Sequence, residues 1–175
     1  MRRICFSVAM SLDGYIAGPT GEADWIVRDP EVDFGAMFAR FDTLLMGRRT
    51  FELTQSPGAP TMPGVSLVVA SRTLRQEDYP GVAIVGKNLE GALTQLRERP
   101  GKDIWLFGGG TLFRSLLEIR QVDTIEVGLM PVVLGGGLPL LPTPSPRTKL
   151  RLVGSKVFKT TGIVRLEYAV EREPA

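Results

Sequence analysis

The chain has 175 residues, of which 43% are hydrophobic and 23% charged, and its formal net charge is +2. This size and composition predict one globular domain that buries roughly 70% of its unfolded surface, and 21 basic against 19 acidic residues give no general reason to expect nucleic acid as a partner. Histidine is absent, which excludes Ser/His and Cys/His nucleophilic pairs and zinc sites with histidine ligands, so no metal site is predicted.

The chain begins with an apolar run, Ile4 to Met10, that predicts the first strand. It contains the single cysteine, Cys5, so no internal disulfide can form and we expect a buried thiol. The run breaks at Ser11-Leu12-Asp13-Gly14, which makes it too short for a signal-peptide core or a membrane span. We therefore expect a cytoplasmic protein without a membrane partner.

Apolar strands then alternate with helical stretches along the chain. The segment from Leu89 to Arg99 has the helical period and is followed by Pro100-Gly101, which ends a helix. The predicted strands of this alternating part are Ile4–Met10, Thr43–Met46, Ser66–Ala70, Val82–Val85 and Ile104–Phe107.

The tail has strands without a long helix between them, at Thr124–Met130, Leu150–Phe158 and Ile163–Ala169, so the sheet is predicted to end antiparallel. Two Pro/Gly-rich stretches, Ser56–Gly64 and Pro131–Pro146, are predicted loops. We expect a single α/β domain over residues 1–175 with a mixed, mostly parallel sheet flanked by helices. The second loop and the antiparallel end of the sheet are candidate surfaces for a homodimer.

Three glycines, Gly108 to Gly110, lie between the predicted strand Ile104–Phe107 and a predicted helix that starts at Thr111. Glycine permits positive φ and a close approach to the main chain, and free N–H groups at the start of a helix attract anions. A bound nucleotide and a tight turn without a ligand both fit this triplet alone, because it is not a GxGxxG arrangement.

The segment from Met46 to Glu52, with sequence MGRRTFE, resembles the MGRxTxE-like strand-to-helix turn of the dihydrofolate reductase superfamily. Residues 11–18, 131–137 and 161–168 resemble the C-terminal reductase domain of the bifunctional riboflavin-pathway deaminase-reductase. Neither a His-x-Glu nor a Pro-Cys-x-x-Cys motif of a zinc deaminase is present, so we expect a stand-alone reductase.

The resemblance implies an NADPH-binding fold. It assigns phosphate contacts to the turn at Gly47, the 2′-phosphate of adenosine to Ser71-Arg72, and the pyrophosphate and nicotinamide to the triple-glycine turn. The expected cofactor residues are Gly47, Arg48, Arg49, Thr50, Ser71, Arg72, Gly108, Gly109, Gly110, Thr111 and Leu112.

The substrate half has weaker signals. The resemblance places Asp13 in the loop that closes over the nicotinamide, where it is a candidate proton donor, a residue that orients a proton-donating water, or a turn residue. Water that protonates the product without Asp13 is the other proton source. Ser11, Trp25 and Asp33 are candidate substrate contacts, although an acid such as Asp33 also suits the first turn of a helix. Gly135 to Gly137 are candidates for a phosphate site or a strand bulge.

These features together predict an NADPH-dependent reductase acting on a small molecule. The resemblance favours 5-amino-6-(5-phosphoribosylamino)uracil or a related pyrimidine as the substrate. Reduction of a pterin or dihydrofolate is the alternative, and a non-catalytic NADPH-binding module is the second alternative.

Overall fold

In a computed structural model, described over residues 1–55 and 64–172, the chain forms a layered α/β fold. Its strands are β1 (Ile4–Ser11), β2 (Tyr15–Ala17), β3 (Phe41–Gly47), β4 (Ser66–Ala70), β5 (Val82–Val85), β6 (Asp103–Gly108), β7 (Thr124–Met130), β8 (Leu138–Pro139), β9 (Leu150–Phe158) and β10 (Ile163–Val170). Its helices are α1 (Phe34–Ala39), α2 (Arg48–Thr54), α3 (Leu89–Glu98) and α4 (Gly110–Glu118), with a 3-10 turn at Gln76–Asp78. None of these helices is long and apolar enough to cross a membrane.

Eight strands form one sheet in the order β5-β4-β3-β6-β1-β7-β10-β9. The pairs from β5 to β7 are parallel, and β10 runs antiparallel to both β7 and β9. The predicted mixed sheet with an antiparallel C-terminal end is therefore confirmed, as are the eight strands predicted from the apolar runs.

Alternate side chains of the central strands point to opposite faces of the sheet, and both sets are buried, as expected for a parallel sheet covered by helices on both faces. On one face Phe6 of β1 stacks on Phe113 of α4 with ring centroids 4.0 Å apart. On the other face Trp105 of β6 stacks on Phe38 of α1 at 5.4 Å, and Phe51 of α2 joins the same cluster. Cys5 is fully buried there, as expected, and burial raises the pKa of its thiol.

The structure differs from the sequence prediction at two places. Pro131–Pro146 contains the two-residue strand β8, which pairs with β2 in a separate small sheet. Helix α3 ends at Glu98, one residue early, because Arg99 is extended before Pro100. The predicted loop Ser56–Gly64 lies outside the described residues except for Gly64.

The two connections that leave β3 and β6 pack on opposite faces of the sheet. Phe51 of α2 belongs to one core cluster, and Phe113 of α4 belongs to the other. Since β3 and β6 are neighbours, the chain diverges at their carboxyl ends and opens a crevice there, which is where ligands bind in open α/β sheets.

The sheet has two edge strands, β5 and β9, and β9 is largely exposed on both faces. Its apolar side chains Leu152, Val153 and Val157 are 54%, 52% and 60% exposed. A long edge strand with exposed apolar side chains is a ready surface for pairing with another chain.

Candidate cofactor-binding cleft

A cleft of about 1170 Å³ opens at the carboxyl ends of the parallel strands. It extends from β4 across β3 and β6 to β1, which is three strand spacings or about 14 Å. The structure brings together at this cleft all the residues that the sequence predicts for the cofactor: Gly47, Arg48, Arg49, Thr50, Ser71, Arg72, Gly108, Gly109, Gly110, Thr111 and Leu112.

The three glycines at the end of β6 have three different structural settings. Gly108 has φ +139°, a conformation that side chains other than glycine rarely adopt, and its peptide bond to Gly109 is cis. A Cβ on Gly110 would lie 2.7 Å from the carbonyl oxygen of Pro139, so that position is closed by the β8 backbone. A Cβ on Gly109 would meet only Thr50 Oγ1, at an ordinary 3.6 Å. The fold therefore requires glycine at 108 and 110, whereas Gly109 leaves free space on the cleft side.

Helix α4 begins at Gly110 with Gly109 as its N-cap, and helix α2 begins at Arg48 with Gly47 as its N-cap. Neither cap has a side chain that could accept from the first N–H groups, and neither first turn contains an acid. Both helix starts line the cleft. Two sets of free N–H groups with their helix dipoles therefore favour an anion in the same space.

Within the described part of the lining, the charged side chains are Arg48, Arg49 and Arg72. Arg48 forms an exposed ion pair with Glu52 at 3.0 Å. Arg49 and Arg72 are exposed and have no hydrogen-bond or ion-pair partner among the described residues. The guanidinium groups give the cleft a positive potential, and two of them are free to bind an anionic ligand.

Ser71 follows β4 and is 9% exposed. Its Oγ accepts hydrogen bonds from the backbone N–H groups of Thr73 and Leu74, at 3.2 and 3.0 Å. These bonds fix the turn that presents Arg72 at the cleft. The hydroxyl is thus part of the turn structure as well as of the lining.

The far end of the cleft is apolar and lies against β1 and β6. Ala9, Trp105 and Phe107 line it, and Trp105 is 7% exposed. The indole N–H of Trp105 donates to the carbonyl oxygen of Ser7 at 2.9 Å, which leaves the ring as an apolar wall. Trp105 is a core residue, as the sequence predicts, and also part of the cleft.

The small β2–β8 sheet covers the cleft. Ile16 and Ala17 of β2 and Leu138 and Pro139 of β8 belong to the lining. We call these two strands the roof. Their contribution has no sequence signal because strands of three and two residues are too short to show a period.

The four residues predicted for the substrate half lie outside the lining of this cleft. Ser11 is fully buried, and its Oγ accepts from the N–H of Tyr15 at 3.0 Å. Asp33 is the N-cap of α1 and accepts from the N–H of Ala36 at 2.8 Å. Trp25 packs on a cluster that contains Met130, and its indole N–H donates to the carbonyl oxygen of Glu22.

Asp13 is exposed and bound to the loop that follows β7. Its two carboxylate oxygens accept from the N–H groups of Leu134 and Gly135, at 3.0 and 2.7 Å. Hydrogen bonds from Ser11 and these two N–H groups lower the pKa of Asp13. The first two N–H groups of the segment Leu134 to Gly137 are thus occupied by a carboxylate.

The fold of this chain is dihydrofolate reductase-like. Dihydrofolate reductase from Enterococcus faecalis, solved with NADP(H) and RAB-propyl, superposes with a TM-score of 0.70 at 18% identity, over 97% of each chain. More particularly, the chain belongs to the family of the RibD C-terminal domain, whose model matches residues 2–164.

Several known proteins are similar to this chain over most of its length. The uncharacterized protein YyaP of Bacillus subtilis strain 168 is 34% identical over 95% of this chain and 94% of its own. A crystal structure from Shewanella sp. PV-4, named for riboflavin biosynthesis, has a TM-score of 0.83 at 27% identity and covers 98% of this chain and 100% of its own. The Thermotoga maritima diaminohydroxyphosphoribosylaminopyrimidine deaminase/5-amino-6-(5-phosphoribosylamino)uracil reductase has a TM-score of 0.71 at 17% identity over 97% of this chain, which spans 56% of that protein.

Proposed function

We propose that this protein is an NADPH-dependent reductase. The observation that carries the proposal is the meeting of two uncapped helix starts with the unpaired Arg49 and Arg72 at one cleft. Backbone N–H groups and guanidinium groups are the donors that bind pyrophosphate and phosphate in dinucleotide sites. Membership of a reductase-type family supports the same reading.

The order of the strands supports one direction for the proposed cofactor. Arg72 follows β4 and would bind the adenosine 2′-phosphate, while the helix starts at Gly47 and Gly109 would hold the pyrophosphate. The nicotinamide would then lie near Ala9 on β1, about 14 Å from the β4 end. When bound, NADPH supplies the hydride. The chain's part is to orient the ring against the apolar wall and to exclude water with the roof.

The proton is proposed to come from water. A lowered pKa keeps Asp13 ionised at neutral pH, and an ionised carboxylate has no proton to donate. Both of its oxygens already accept backbone hydrogen bonds. Asp13 as the proton donor, which the sequence predicts, is the alternative that substitution must test.

The proposed substrate is 5-amino-6-(5-phosphoribosylamino)uracil or a related pyrimidine. The family model and the riboflavin-type neighbours favour this class. A pterin or dihydrofolate is the alternative substrate class, and a binding module without turnover is the alternative of a different class.

The test is a panel in which NADPH oxidation is followed spectrophotometrically with each candidate substrate, alongside a binding titration with NADPH and NADH. Turnover of the pyrimidine supports the proposed activity. Turnover of a pterin alone supports the alternative substrate class. Tight NADPH binding without turnover across the panel supports the binding module. Failure to bind NADPH at all contradicts the proposal.

We also propose that two copies associate through β9, since its exposed Leu152 and Val157 lie on an unpaired sheet edge. Analytical ultracentrifugation of the wild type and of Val157→Lys tests this. A dimeric wild type with a monomeric variant supports it, and a monomeric wild type contradicts it.

A further inference from the structure

Asp13 makes an interaction that joins two loops 121 residues apart in the chain. Its carboxylate accepts from two successive backbone N–H groups, at Leu134 and Gly135. Hydrogen bonds to a charged acceptor are stronger than neutral ones, and two from one carboxylate fix both distance and direction. The loop after β1 is thereby fastened to the loop after β7.

Neighbouring backbone bonds continue the same attachment. The N–H of Leu12 donates to the carbonyl oxygen of Val132 at 2.8 Å, and the N–H of Leu140 donates to that of Gly14 at 2.9 Å. These two bonds lie on either side of the Asp13 contacts in the 132–140 segment. The backbone therefore holds the segment at its two ends and, through pairing of β8 with β2, at Leu138 and Pro139. Within residues 134–137, the described hydrogen bonds are the two that Asp13 accepts.

The middle of this segment is a run of glycines, whose backbone is costly to order. Gly135, Gly136 and Gly137 are consecutive, and Gly135 and Gly137 have φ values of +73° and +147°. Glycine loses more conformational entropy than any other residue when its backbone is fixed. Ordering of this run consequently depends on strong contacts, and the carboxylate of Asp13 supplies two of them.

The ordered segment leads directly into the roof of the cleft. A Cβ on Gly137 would lie 2.2 Å from the carbonyl oxygen of Ala17, so β8 starts in close contact with β2. A Cβ on Gly110, at the start of α4, would lie 2.7 and 2.9 Å from the carbonyl oxygens of Pro139 and Leu140, so the roof is also in close contact with this helix start. The roof thus touches the helix start proposed to bind the pyrophosphate, and its position depends on where residues 134–137 are held.

We propose that Asp13 is a positioning residue that latches the roof over the cofactor cleft. This inference rests on the proposed function, because the ligand under the roof is NADPH. Loss of the latch raises the fraction of NADPH-bound molecules whose roof is out of place, and NADPH leaves from those molecules, so its dissociation rate rises and its affinity falls.

The experiment compares the wild type with Asp13→Ala, Asp13→Asn and the control Glu77→Gln. Glu77 is an exposed carboxylate paired with Arg75 and lies outside the cleft lining, so the control removes one negative charge elsewhere. NADPH dissociation is measured by stopped-flow fluorescence, and amide hydrogen exchange is followed in peptides that cover residues 131–142.

We expect Asp13→Ala to release NADPH about tenfold faster and to exchange faster over residues 131–142, with Asp13→Asn in between because its amide oxygen still accepts one bond. Glu77→Gln should match the wild type in both. A variant that is merely less stable has a smaller active fraction but an unchanged dissociation rate, so this rate separates positioning from general destabilisation.

If amide hydrogen exchange over residues 131–142 is unchanged in Asp13→Ala, Asp13 does not hold the roof and the proposal is wrong. If exchange is faster but NADPH dissociates at the wild-type rate, Asp13 holds the segment but has no role in cofactor binding. Unchanged release and exchange with a rate of turnover reduced on the order of 100-fold would make Asp13 the proton donor instead. If the wild type itself does not bind NADPH, the proposed function fails and the positioning role toward NADPH fails with it, while the exchange data still report whether Asp13 holds the segment.

Discussion

The two halves of the cleft are built in different ways. The half proposed to bind phosphate, here called the phosphate half, consists of helix starts, glycines and arginines that stand next to one another in short segments, at residues 47–50, 71–72 and 108–112. The half near Ala9 is made of an apolar wall and a roof whose parts come from β1, β2, β6 and β8. The phosphate half is built from residues that are adjacent in sequence, whereas the apolar half forms only when distant segments come together in the fold.

The largest effect on the phosphate half is expected from Gly109→Val. Gly109 has φ −97° and ψ −171°, which valine accepts, and its Cβ would meet only Thr50. The variant should therefore fold, and the added methyl groups should exclude the cofactor, so that NADPH binding is lost in a titration. Gly109→Ala is the matched smaller change. Normal binding by a folded Gly109→Val protein would mean that this turn has only a structural role.

Arg72→Ala should weaken NADPH about tenfold or more and leave NADH nearly unchanged. Arg72 has no partner among the described residues, so its removal exposes no other charge, and a charged contact to phosphate contributes roughly 1.5–3 kcal/mol. Titration with both cofactors measures the difference. Equal losses of affinity for NADPH and NADH would show that Arg72 does not bind the 2′-phosphate.

Asp33→Ala tests whether one residue of the substrate half is structural. Asp33 caps α1, so thermal or urea unfolding should show a loss of about 1 kcal/mol, with NADPH affinity unchanged. A KM for the substrate that rises tenfold at unchanged stability would restore Asp33 as a substrate contact.

A gain of affinity should follow from Glu52→Gln. Glu52 pairs with Arg48, and both side chains are nearly half exposed, so the pair itself contributes little to stability. Freeing Arg48 should tighten NADPH and NADH alike by about twofold. A change confined to NADPH would place Arg48 at the 2′-phosphate rather than at the pyrophosphate.

The smallest effect concerns pH. Its lowered pKa means that Asp13 favours the folded state above its unfolded pKa of about 3.9, and that this contribution is lost as pH falls through the still lower folded pKa. Its described hydrogen-bond partners Ser11, Leu134 and Gly135 carry no charge. The ratio of NADPH affinities of the wild type and Asp13→Asn should therefore stay flat from pH 5 to 8. A ratio that changes between pH 5 and 8 would mean that the pKa of Asp13 is raised, contrary to the direction given by its hydrogen bonds.

Prediction from the sequence succeeded where the signal for a structure lies within one short segment. The apolar runs located the eight strands of the large sheet. The run Met46 to Glu52 indicated the dihydrofolate reductase superfamily, because glycine, arginine and a helix start are adjacent there, and residues 11–18, 131–137 and 161–168 indicated the reductase family that the family model confirms. Such signals do not depend on what packs against them.

The roof and the position of Asp13 depend on tertiary contacts instead. Asp13-Gly14 has the same sequence whether it turns freely, donates a proton or binds Leu134 and Gly135 across 121 residues. Asp33 likewise suits a helix cap and a substrate contact equally well. Local sequence therefore reveals the residue type but leaves its partner open.

The strand order has a practical consequence for using this protein. The cleft occupies β4, β3, β6 and β1, and β7 and β10 separate it from the edge strand β9. That separation is three strand spacings from β1 to β9, or about 14 Å. A second copy associated along β9, as proposed above, therefore stands at the opposite end of the sheet from β4 and Arg72 and leaves the cleft of each copy accessible, so a label or a sensor support should be attached away from both β9 and the cleft.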